Sequence, residues 1–419
     1  MLLYYREILL TEDVMLDKEI WIWLSLHFGA GTSIYQKLYS HFGNVQDIYN
    51  CDDSDADLIS WLSSHQKKKL LDKNLDYAHE VMDWCDCYDV NIVTPSDEDY
   101  PLPLRALKNY PAALYYKGTL PDFGKELCVS VVGTRNNTVE GQRNAYNLGF
   151  GLAKGGAVVV SGMAKGIDSI AQKGALYAGG FSVAVLGCGI DVVYPRENAA
   201  LMDKLMRVGA VMTEFPPKTP PNGSNFPIRN RIISALSQAT VVVEADLNSG
   251  SLITARLALE QGKELFAFPG PVNSNFSKGT NRLLSDGAKV ATEAIDVLEQ
   301  FMDKFPKLNL FASKERPVIT KSNKVAASNV DYGKFYSQLI PNENKSNTSA
   351  NNDVKETFDV NLLNELEKKI YDAMEFNTPV SLDFFVKFDL EVSELASVLT
   401  VLEIKGALES IPGGYYIKK

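Results

Sequence analysis

Short apolar runs alternate with helical stretches through the middle of the chain. Runs rich in β-branched and other apolar residues predict six buried strands, at Val129–Val132, Ala157–Val160, Ser182–Leu186, Ala210–Thr213, Thr240–Val243 and Glu264–Phe268. The stretches between them carry apolar residues at helical spacing, as in Ala145, Leu148 and Leu152. Continuous apolar strands that alternate with helices are typical of a parallel sheet covered on both faces. The pattern therefore predicts an α/β fold.

The N-terminal part of the chain has a helical pattern. Residues 16–82 carry apolar positions at helical spacing, beginning with Ile20 and Trp23, and a glycine turn at Phe28–Gly31 separates the first two helices. Two helices around such a turn resemble a helix-hairpin-helix motif, in which backbone N–H groups contact a phosphate. Plain helical packing explains the same pattern. We therefore predict a helical domain, of a helix-hairpin-helix or SAM-like kind, over residues 1–83.

Three further segments follow from changes in composition. Residues 84–126 are rich in Pro and Tyr and predict an irregular connector, which we join to the α/β region as one domain over residues 84–302. Residues 303–358 lose periodicity and become polar, which favours a flexible linker. Residues 359–419 show two helical patterns and then a hairpin turn at Pro412–Gly414, which together predict a small winged-helix module.

The charge of the chain is unevenly distributed. The formal net charge of −10 argues against a nucleic-acid partner at first sight. However, residues 1–120 hold 10 basic and 19 acidic residues, whereas residues 121–300 hold 17 basic and 16 acidic residues. Charges more than about 8 Å apart are largely screened at physiological salt, so a local basic groove can hold phosphates on an acidic protein. The overall charge therefore does not exclude DNA binding by the middle of the chain.

Several classes of site and location are disfavoured by what the sequence contains. The five cysteines form no CxxC pair, so we expect reduced thiols in a cytoplasmic protein and no zinc. The first residues lack the pattern of a signal peptide, and no apolar run approaches the roughly 20 residues of a membrane span. All histidines precede the α/β region, which has no phosphate-binding loop of the GxxxxGK[ST] type. We expect no cofactor and no membrane partner.

Three of the predicted strands end in glycine-containing loops. The candidate residues in these loops are Gly133 and Arg135, then Ser161, Gly162 and Lys165, and then Gly187 and Gly189. In an open parallel sheet, ligands bind beyond the carboxyl ends of the strands, where glycine lets the backbone approach a phosphate. A single glycine loop also suits a tight strand–helix turn. Three such loops in successive units favour phosphate binding.

A compact group of cations and an aromatic ring precedes a helix predicted over Ile232–Leu236. The group consists of Phe226, Arg229, Asn230 and Arg231. Two arginines and a phenylalanine at a loop mouth suit phosphate clamping and base stacking, although a solvated helix start with a structural arginine is the alternative.

Further along the chain, Ser249 and Gly250 lie in a predicted anion-binding turn. The preceding carboxylates, Glu244 and Asp246, suit two different tasks. They could act as an acid/base pair in a nucleotide-cleaving enzyme, or they could accept hydrogen bonds that brace the loops.

These stretches resemble the DNA-processing protein A family (DprA, also called Smf). The matching motifs follow one another in order as VGTR (132–135), SGMAKGID (161–168), GCGIDVVYPREN (187–198), FPIRNRII (226–233), VVVEADLNSGSLITA (241–255), and FPG (268–270) with GTNRLLSDGA (279–288). The segment Ser234–Leu236 departs from the more usual Ala-Gly-Leu, which is a change in packing. The flanking segments resemble the family less specifically.

The resemblance implies an extended Rossmann-like, doubly wound core with a mostly parallel sheet. It further implies a homodimer that binds single-stranded DNA and helps load the RecA recombinase in homologous recombination and natural transformation (competence). Basic residues line the strand-binding pocket in this family, and the positions that match here are Arg135, Lys165, Arg196, Arg229 and Arg231, with Phe226 and Asn230 beside them.

Three functions remain open at this point. We favour a non-catalytic mediator that binds single-stranded DNA. The main rival is a nucleotide-binding or nucleotide-cleaving Rossmann enzyme that uses Glu244 or Asp246. A transcription regulator would depend on the winged helix, but the second predicted helix of that module is acidic, with Glu391, Glu394 and Glu403, and phosphates would repel it.

Overall fold

The chain divides into two compact units, residues 1–318 and residues 319–419. The computed structural model describes residues 16–315 of the first unit and residues 365–374, 380–381, 398–399, 401–402, 407–411 and 415–418 of the second. Most of the predicted linker, residues 316–358, lies outside the described residues. The domain boundaries predicted from the sequence remain predictions.

A nine-stranded sheet forms the centre of the first unit. Its strands are β1 (Asn91–Val93), β2 (Leu114–Gly118), β3 (Cys128–Val132), β4 (Val158–Ser161), β5 (Ser182–Val185), β6 (Ala210–Thr213), β7 (Ala239–Val242), β8 (Glu264–Ala267) and β9 (Lys289–Val290). The strand order is β1-β2-β6-β5-β4-β3-β7-β8-β9. The pairings from β6 to β9 are parallel, whereas β1 with β2 and β2 with β6 are antiparallel. The prediction of a mostly parallel α/β sheet is confirmed, and each of the six predicted strands agrees with β3 to β8 within one residue at either end.

Helices precede the sheet and connect its strands. The N-terminal helices are α1 (16–28), α2 (Ile34–Phe42), α3 (Val45–Asn50), α4 (Asp53–Leu58), α5 (Ser64–Leu71) and α6 (Asp76–Cys87). The later helices are α7 (Leu102–Arg105), α8 (Val139–Lys154), α9 (Ile167–Tyr177), α10 (Ala199–Val208), α11 (Asn225–Ala235), α12 (Ser251–Glu260), α13 (Lys278–Ser285), α14 (Ala294–Leu298) and α15 (Leu310–Ser313). Three short 3₁₀ helices lie at Arg196–Asn198, Asn275–Ser277 and Glu299–Phe301. The helical N-terminal region is thus confirmed.

Successive residues of the central strands point to opposite faces of the sheet, as the period of two requires. Val129 and Val131 of β3 belong to one buried core together with Leu148 of α8. Val132 belongs to a second buried core on the other face, together with Ile232 of α11. Because both faces are covered by helices, the fold is Rossmann-like and doubly wound. This arrangement leaves the carboxyl ends of the strands as one edge on which loops converge.

The glycine turn between α1 and α2 packs against the α/β region. Gly29 and Gly31 adopt positive φ values of 77° and 75°. The carbonyl of Gly31 accepts a hydrogen bond from the Asn109 amide at 3.2 Å, and its N–H group donates to the carboxylate of Glu214. A Cβ atom at Gly31 would lie 2.6 Å from a methyl carbon of Ile228. Protein groups therefore occupy this turn, in agreement with helical packing rather than with a phosphate contact.

The connector over residues 84–126 is more regular than the sequence predicts. It contains α7 and two strands, and β2 pairs with β6 so that Tyr115 lies opposite Thr213. A single short strand carries little local signal, and its formation here depends on a partner almost 100 residues away. The prediction of an irregular connector is corrected accordingly.

Residues 303–315 belong to the packed part of the first unit. Phe305 and Leu308 are buried in the same core as Leu148, and α15 packs on α8. These residues form the first part of the segment for which the sequence predicts a linker.

The second unit contains a helix, α16 (Glu365–Asp372), and the strands β10 (Val380–Ser381), β11 (Leu408–Ile411) and β12 (Tyr415–Lys418). The strands form an antiparallel sheet in the order β10-β12-β11. Most of the predicted second helix lies outside the described residues, so the winged-helix assignment remains a prediction. None of the helices described in either unit is long and apolar enough to span a membrane.

Candidate nucleic-acid interface

An open cleft of about 490 Å³ lies at the carboxyl edge of the parallel sheet. It is bounded by the loops that follow β3, β4, β5, β6 and β7 and by the first residues of α11 and α12. The chain runs from β3 through β4 and β5 to β6 on one side and then crosses to β7 on the other side of β3. The cleft therefore lies at the point where the strand order reverses, which is the usual ligand site of such sheets.

Half of the candidate residues line this cleft. The lining includes Gly133, Arg135, Phe226, Arg229, Asn230, Ser249 and Gly250. The remaining candidates lie outside the lining, namely Ser161, Gly162, Lys165, Gly187, Gly189, Arg196 and Arg231. The structure thus brings together candidate residues from three segments of the sequence, residues 133–135, 226–230 and 249–250.

A cluster of two aromatic rings and a cation, formed by Tyr194, Phe226 and Arg135, lies on one side of the cleft. The ring centroids of Tyr194 and Phe226 are 5.4 Å apart, with an angle of 35° between the rings. The guanidinium carbon of exposed Arg135 lies 5.2 Å from the centroid of Phe226. An aromatic surface beside an exposed cation can hold a base by stacking and the adjacent phosphate by charge. Sequence reasoning missed Tyr194, although it lies two residues before the candidate Arg196.

Gly187 and Gly162 support the cleft from beneath. A Cβ atom at Gly187 would lie 2.8 Å from the ring of Phe226, and one at Gly162 would lie 2.5 Å from the guanidinium of Arg229. Both glycines therefore make room for a cleft side chain. These two predicted site residues therefore support the cleft and are not part of its lining.

Arg229 forms the buried floor of the cleft. Only 3% of its surface is exposed, and its Nη1 atom donates to the carbonyl oxygens of Gly162, at 2.8 Å, and of Val185. Burial lowers the pKa of Arg229 to about 10, and the negative charge of Asp168 opposes that shift. At neutral pH the guanidinium remains charged. It contributes positive potential to the cleft while Nη1 is engaged by the backbone and Nε donates to the side-chain oxygen of Asn230 at 3.2 Å.

Arg231 lies away from the cleft. Its Nη2 atom is 2.5 Å from Oε2 of Glu214, and both side chains are almost fully buried. The reason for its divergence from Arg229 is that α11 begins at Asn225, so both arginines are helical. Residues two positions apart in a helix point to different sides. The predicted helix start at Ile232 was wrong, and it concealed this separation.

Two further candidate cations are exposed on neighbouring loops. Lys165 follows the cleft residue Ala164, and its Nζ atom lies 3.9 Å from a carboxylate oxygen of Glu197. Arg196 lies in the 3₁₀ helix after β5 and is exposed. Both are outside the lining, in loops that contribute Ala164 and Tyr194 to it.

The turn before α12 also lines the cleft. The hydroxyl oxygens of Ser249 and Ser251 are 2.8 Å apart, and α12 begins at Ser251. Hydroxyl groups at a helix N-terminus, where the helix dipole is positive, form a favourable surface for an anion. Asp246 also lines the cleft, and its Oδ1 atom accepts a hydrogen bond from the N–H of Asn248 at 2.6 Å.

Glu244 is engaged as a structural brace. Its two carboxylate oxygens accept hydrogen bonds from the backbone N–H of Thr138, at 2.8 Å, and from the Thr138 hydroxyl, at 2.7 Å. A Cβ atom at Gly141 would lie 2.3 Å from the same carboxylate. Burial raises the pKa of Glu244, although the bonds from Thr138 oppose this shift. Glu244 is outside the lining, so it does not form a pair with Asp246 across the cleft.

Two other candidates also have structural contacts. The hydroxyl of Ser161 is buried and donates to the carbonyl oxygen of Val131 at 2.6 Å. The N–H of Gly189 donates to the carbonyl oxygen of Thr219 at 2.9 Å. These contacts hold the loops after β4 and β5 in place.

Comparison with known proteins gives a consistent assignment. A family model described as DNA recombination-mediator protein A matches residues 91–302, which is about half of the chain. Protein Smf of Escherichia coli (strain K12) is 43% identical over 217 residues, which cover 52% of this chain and 58% of that protein. The match thus spans less than two thirds of the length of this relative. Protein Smf of Synechocystis sp. is 28% identical over 408 residues, covering 96% of this chain and 99% of the relative.

A solved structure is similar to about two thirds of this chain. The X-ray structure of DNA processing protein A from Streptococcus pneumoniae has a TM-score of 0.59 and 32% sequence identity, and the match covers 68% of this chain and 97% of that chain. The resemblance to DprA/Smf inferred from the motifs is confirmed by these matches. The chain belongs to the DNA recombination-mediator protein A family.

Proposed function

We propose that this protein binds single-stranded DNA in the cleft and helps load the RecA recombinase onto the strand. The observation that carries the proposal is the cluster of Tyr194, Phe226 and Arg135, which lines the same cleft as the serine turn before α12. Aromatic rings accept any base by stacking, and the cations and hydroxyl groups suit phosphates. Membership of a family of recombination mediators supports the same role.

A single strand fits this cleft better than a duplex. Stacking on Phe226 and Tyr194 requires a base that is not stacked within a double helix. The cleft is a recess bounded by loops and helix starts, whereas duplex readers insert a protruding helix or ribbon into a groove. We therefore expect binding with little sequence preference.

The proposed role is non-catalytic. Glu244, one of the two carboxylates on which the enzyme hypothesis depends, has both oxygens engaged by Thr138. Asp246 remains in the cleft, where it accepts a hydrogen bond from the following loop. A RecA partner, a homodimeric assembly, a cytoplasmic location and a part in natural transformation belong to the same proposal and are implied by the resemblance to DprA/Smf.

The test is a comparison of single-stranded and duplex DNA by electrophoretic shift in one buffer without added nucleotide. We expect the single strand to bind much more tightly. Phe226→Ala should weaken binding by about 5- to 150-fold, because base stacking contributes about 1–3 kcal/mol. Arg135→Ala should reduce the log–log salt slope by about 0.7, the value for one phosphate contact to a single strand.

Arg207→Ala is the matched control, because Arg207 is exposed on α10, outside the cleft lining, and pairs with Asp203. The control should bind like the unmodified protein. Equal or tighter binding of the duplex, or equal behaviour of Phe226→Ala and the control, would contradict the proposal.

A further inference from the structure

A second and larger depression adjoins the cleft. It has a volume of about 730 Å³ and runs between α11 and α12, with residues 103–109 along one side. Pro227 and Ile253 line both the cleft and this groove. The two depressions therefore share a wall, which Pro227 and Ile253 form.

The groove follows the length of α12. Ile253 and Leu257 line it at a spacing of one helical turn, and Gln261 continues the row just beyond the last turn. Leu107 and Ile228 add apolar surface from the opposite side. A ten-residue helix is about 15 Å long, so the groove extends well away from the carboxyl edge of the sheet.

The rim of the groove carries positive charge. Lys108 is exposed and has no ion-pair partner within residues 16–315. Arg256 is also exposed, with 73% of its side-chain surface accessible, and pairs with Glu260 at 3.6 Å. Lys263 donates to the carbonyl oxygen of Ala235 at 3.0 Å. Glu260 is the sole carboxylate among the described residues that line the groove, so cations exceed anions there.

We infer that the groove holds the continuation of the DNA strand that occupies the cleft, with phosphates along Lys108, Arg256 and Lys263. This inference rests on the proposed function and extends it to the path of the strand. An acidic peptide would match the same charges, but the shared wall with the cleft favours a ligand that fills both depressions. The apolar floor can contact sugars and base faces, while phosphates remain at the basic rim.

The inference predicts that the groove contributes only to longer strands. Fluorescence anisotropy with labelled oligothymidylates of about 4 and about 16 nucleotides compares the two ends of the range of site sizes of a single-strand-binding OB fold. The double variant Lys108→Ala/Arg256→Ala should bind the short oligonucleotide normally. For the long one, we expect an affinity loss of about three- to tenfold and a log–log salt slope smaller by about 1.4, because two phosphate contacts are removed.

A matched control has the same change in charge at another place. Lys204→Ala/Arg207→Ala removes one lysine and one arginine from the exposed side of α10, where Arg207 pairs with Asp203 four residues earlier, as Arg256 pairs with Glu260. This variant should bind both oligonucleotides normally. Thermal melting verifies that each variant is folded, and the charge reversal Lys108→Glu alone should reproduce the length-dependent loss.

The outcomes separate this inference from the function on which it depends. If the groove variants bind the long oligonucleotide normally, or lose equal affinity for both lengths, the inference that the strand continues into the groove is overturned. Failure of the unmodified protein to bind either length would instead overturn the proposed function. The proposed function and the inference are both supported if Arg135→Ala lowers the affinity for both oligonucleotides and the groove variant lowers it for the long one alone.

Discussion

At the scale of single residues, the two arginines of FPIRNRII have different environments. Arg229 lies under the cleft and donates to backbone carbonyl groups, whereas Arg231 forms a buried ion pair with Glu214 on another side of α11. The sequence motif places them together because it does not reveal where the helix begins. Their cationic character was evident from the sequence, but their separation depends on the start of α11 at Asn225.

The buried pair should contribute to stability and not to DNA binding. Arg231→Ala leaves the carboxylate of Glu214 buried without its cation, which should lower the free energy of unfolding by about 3–5 kcal/mol. Urea denaturation measures this loss. Although Arg231 lines the groove, only 4% of its side chain is exposed and its charge is paired with Glu214, so the folded fraction should retain its affinity for single-stranded DNA. Arg231→Met/Glu214→Gln should recover much of the stability, since the amide still accepts the N–H of Gly31. A stable Arg231→Ala protein with weakened DNA binding would instead place Arg231 at the DNA.

At the scale of secondary structure, local pattern predicted the centre of the sheet better than its edges. β3 to β8 are buried apolar runs, and burial on both faces leaves a strong trace in sequence. By contrast, β1 and β9 contain three and two residues, and their pairing depends on neighbouring strands. The cleft was predicted only in part, for the same reason. The ends of the predicted strands indicated which loops form it, whereas the position of Tyr194 in the lining depends on the tertiary fold.

The start of α8 offers a test of whether Glu244 is structural. The Thr138 hydroxyl accepts from the N–H of Gly141 and donates to Glu244, so it caps the helix and satisfies the carboxylate. Thr138→Ala should lower the free energy of unfolding by about 1–2 kcal/mol in urea denaturation. Thr138→Ser keeps the hydroxyl and should restore most of that stability, with DNA affinity unchanged in both variants. If the Ala and Ser variants were equally stable, the hydrogen bonds of the Thr138 hydroxyl would contribute nothing to stability. Glu244 would then not act as a structural brace.

At the scale of the whole molecule, all residues that line the cleft lie between positions 132 and 254, within the first unit. Removal of residues 359–419 should therefore change the affinity for single-stranded DNA by less than about tenfold, which corresponds to 1.4 kcal/mol. Filter binding of the full chain and the shortened chain at matched salt measures the difference. A larger loss would show that the C-terminal residues take part in binding or in the assembly that binds.

The position of Arg229 also determines which partner loses conformational freedom on binding. Its guanidinium links the loop after β4 to the end of β5 through the carbonyl groups of Gly162 and Val185, so the floor of the cleft is fixed before any ligand arrives. Such preorganisation removes the entropic cost of ordering these protein groups on binding. The remaining ordering cost is that of the ligand. The floor of the cleft would therefore change little on binding, and most of the conformational entropy loss on association would come from ordering the DNA strand.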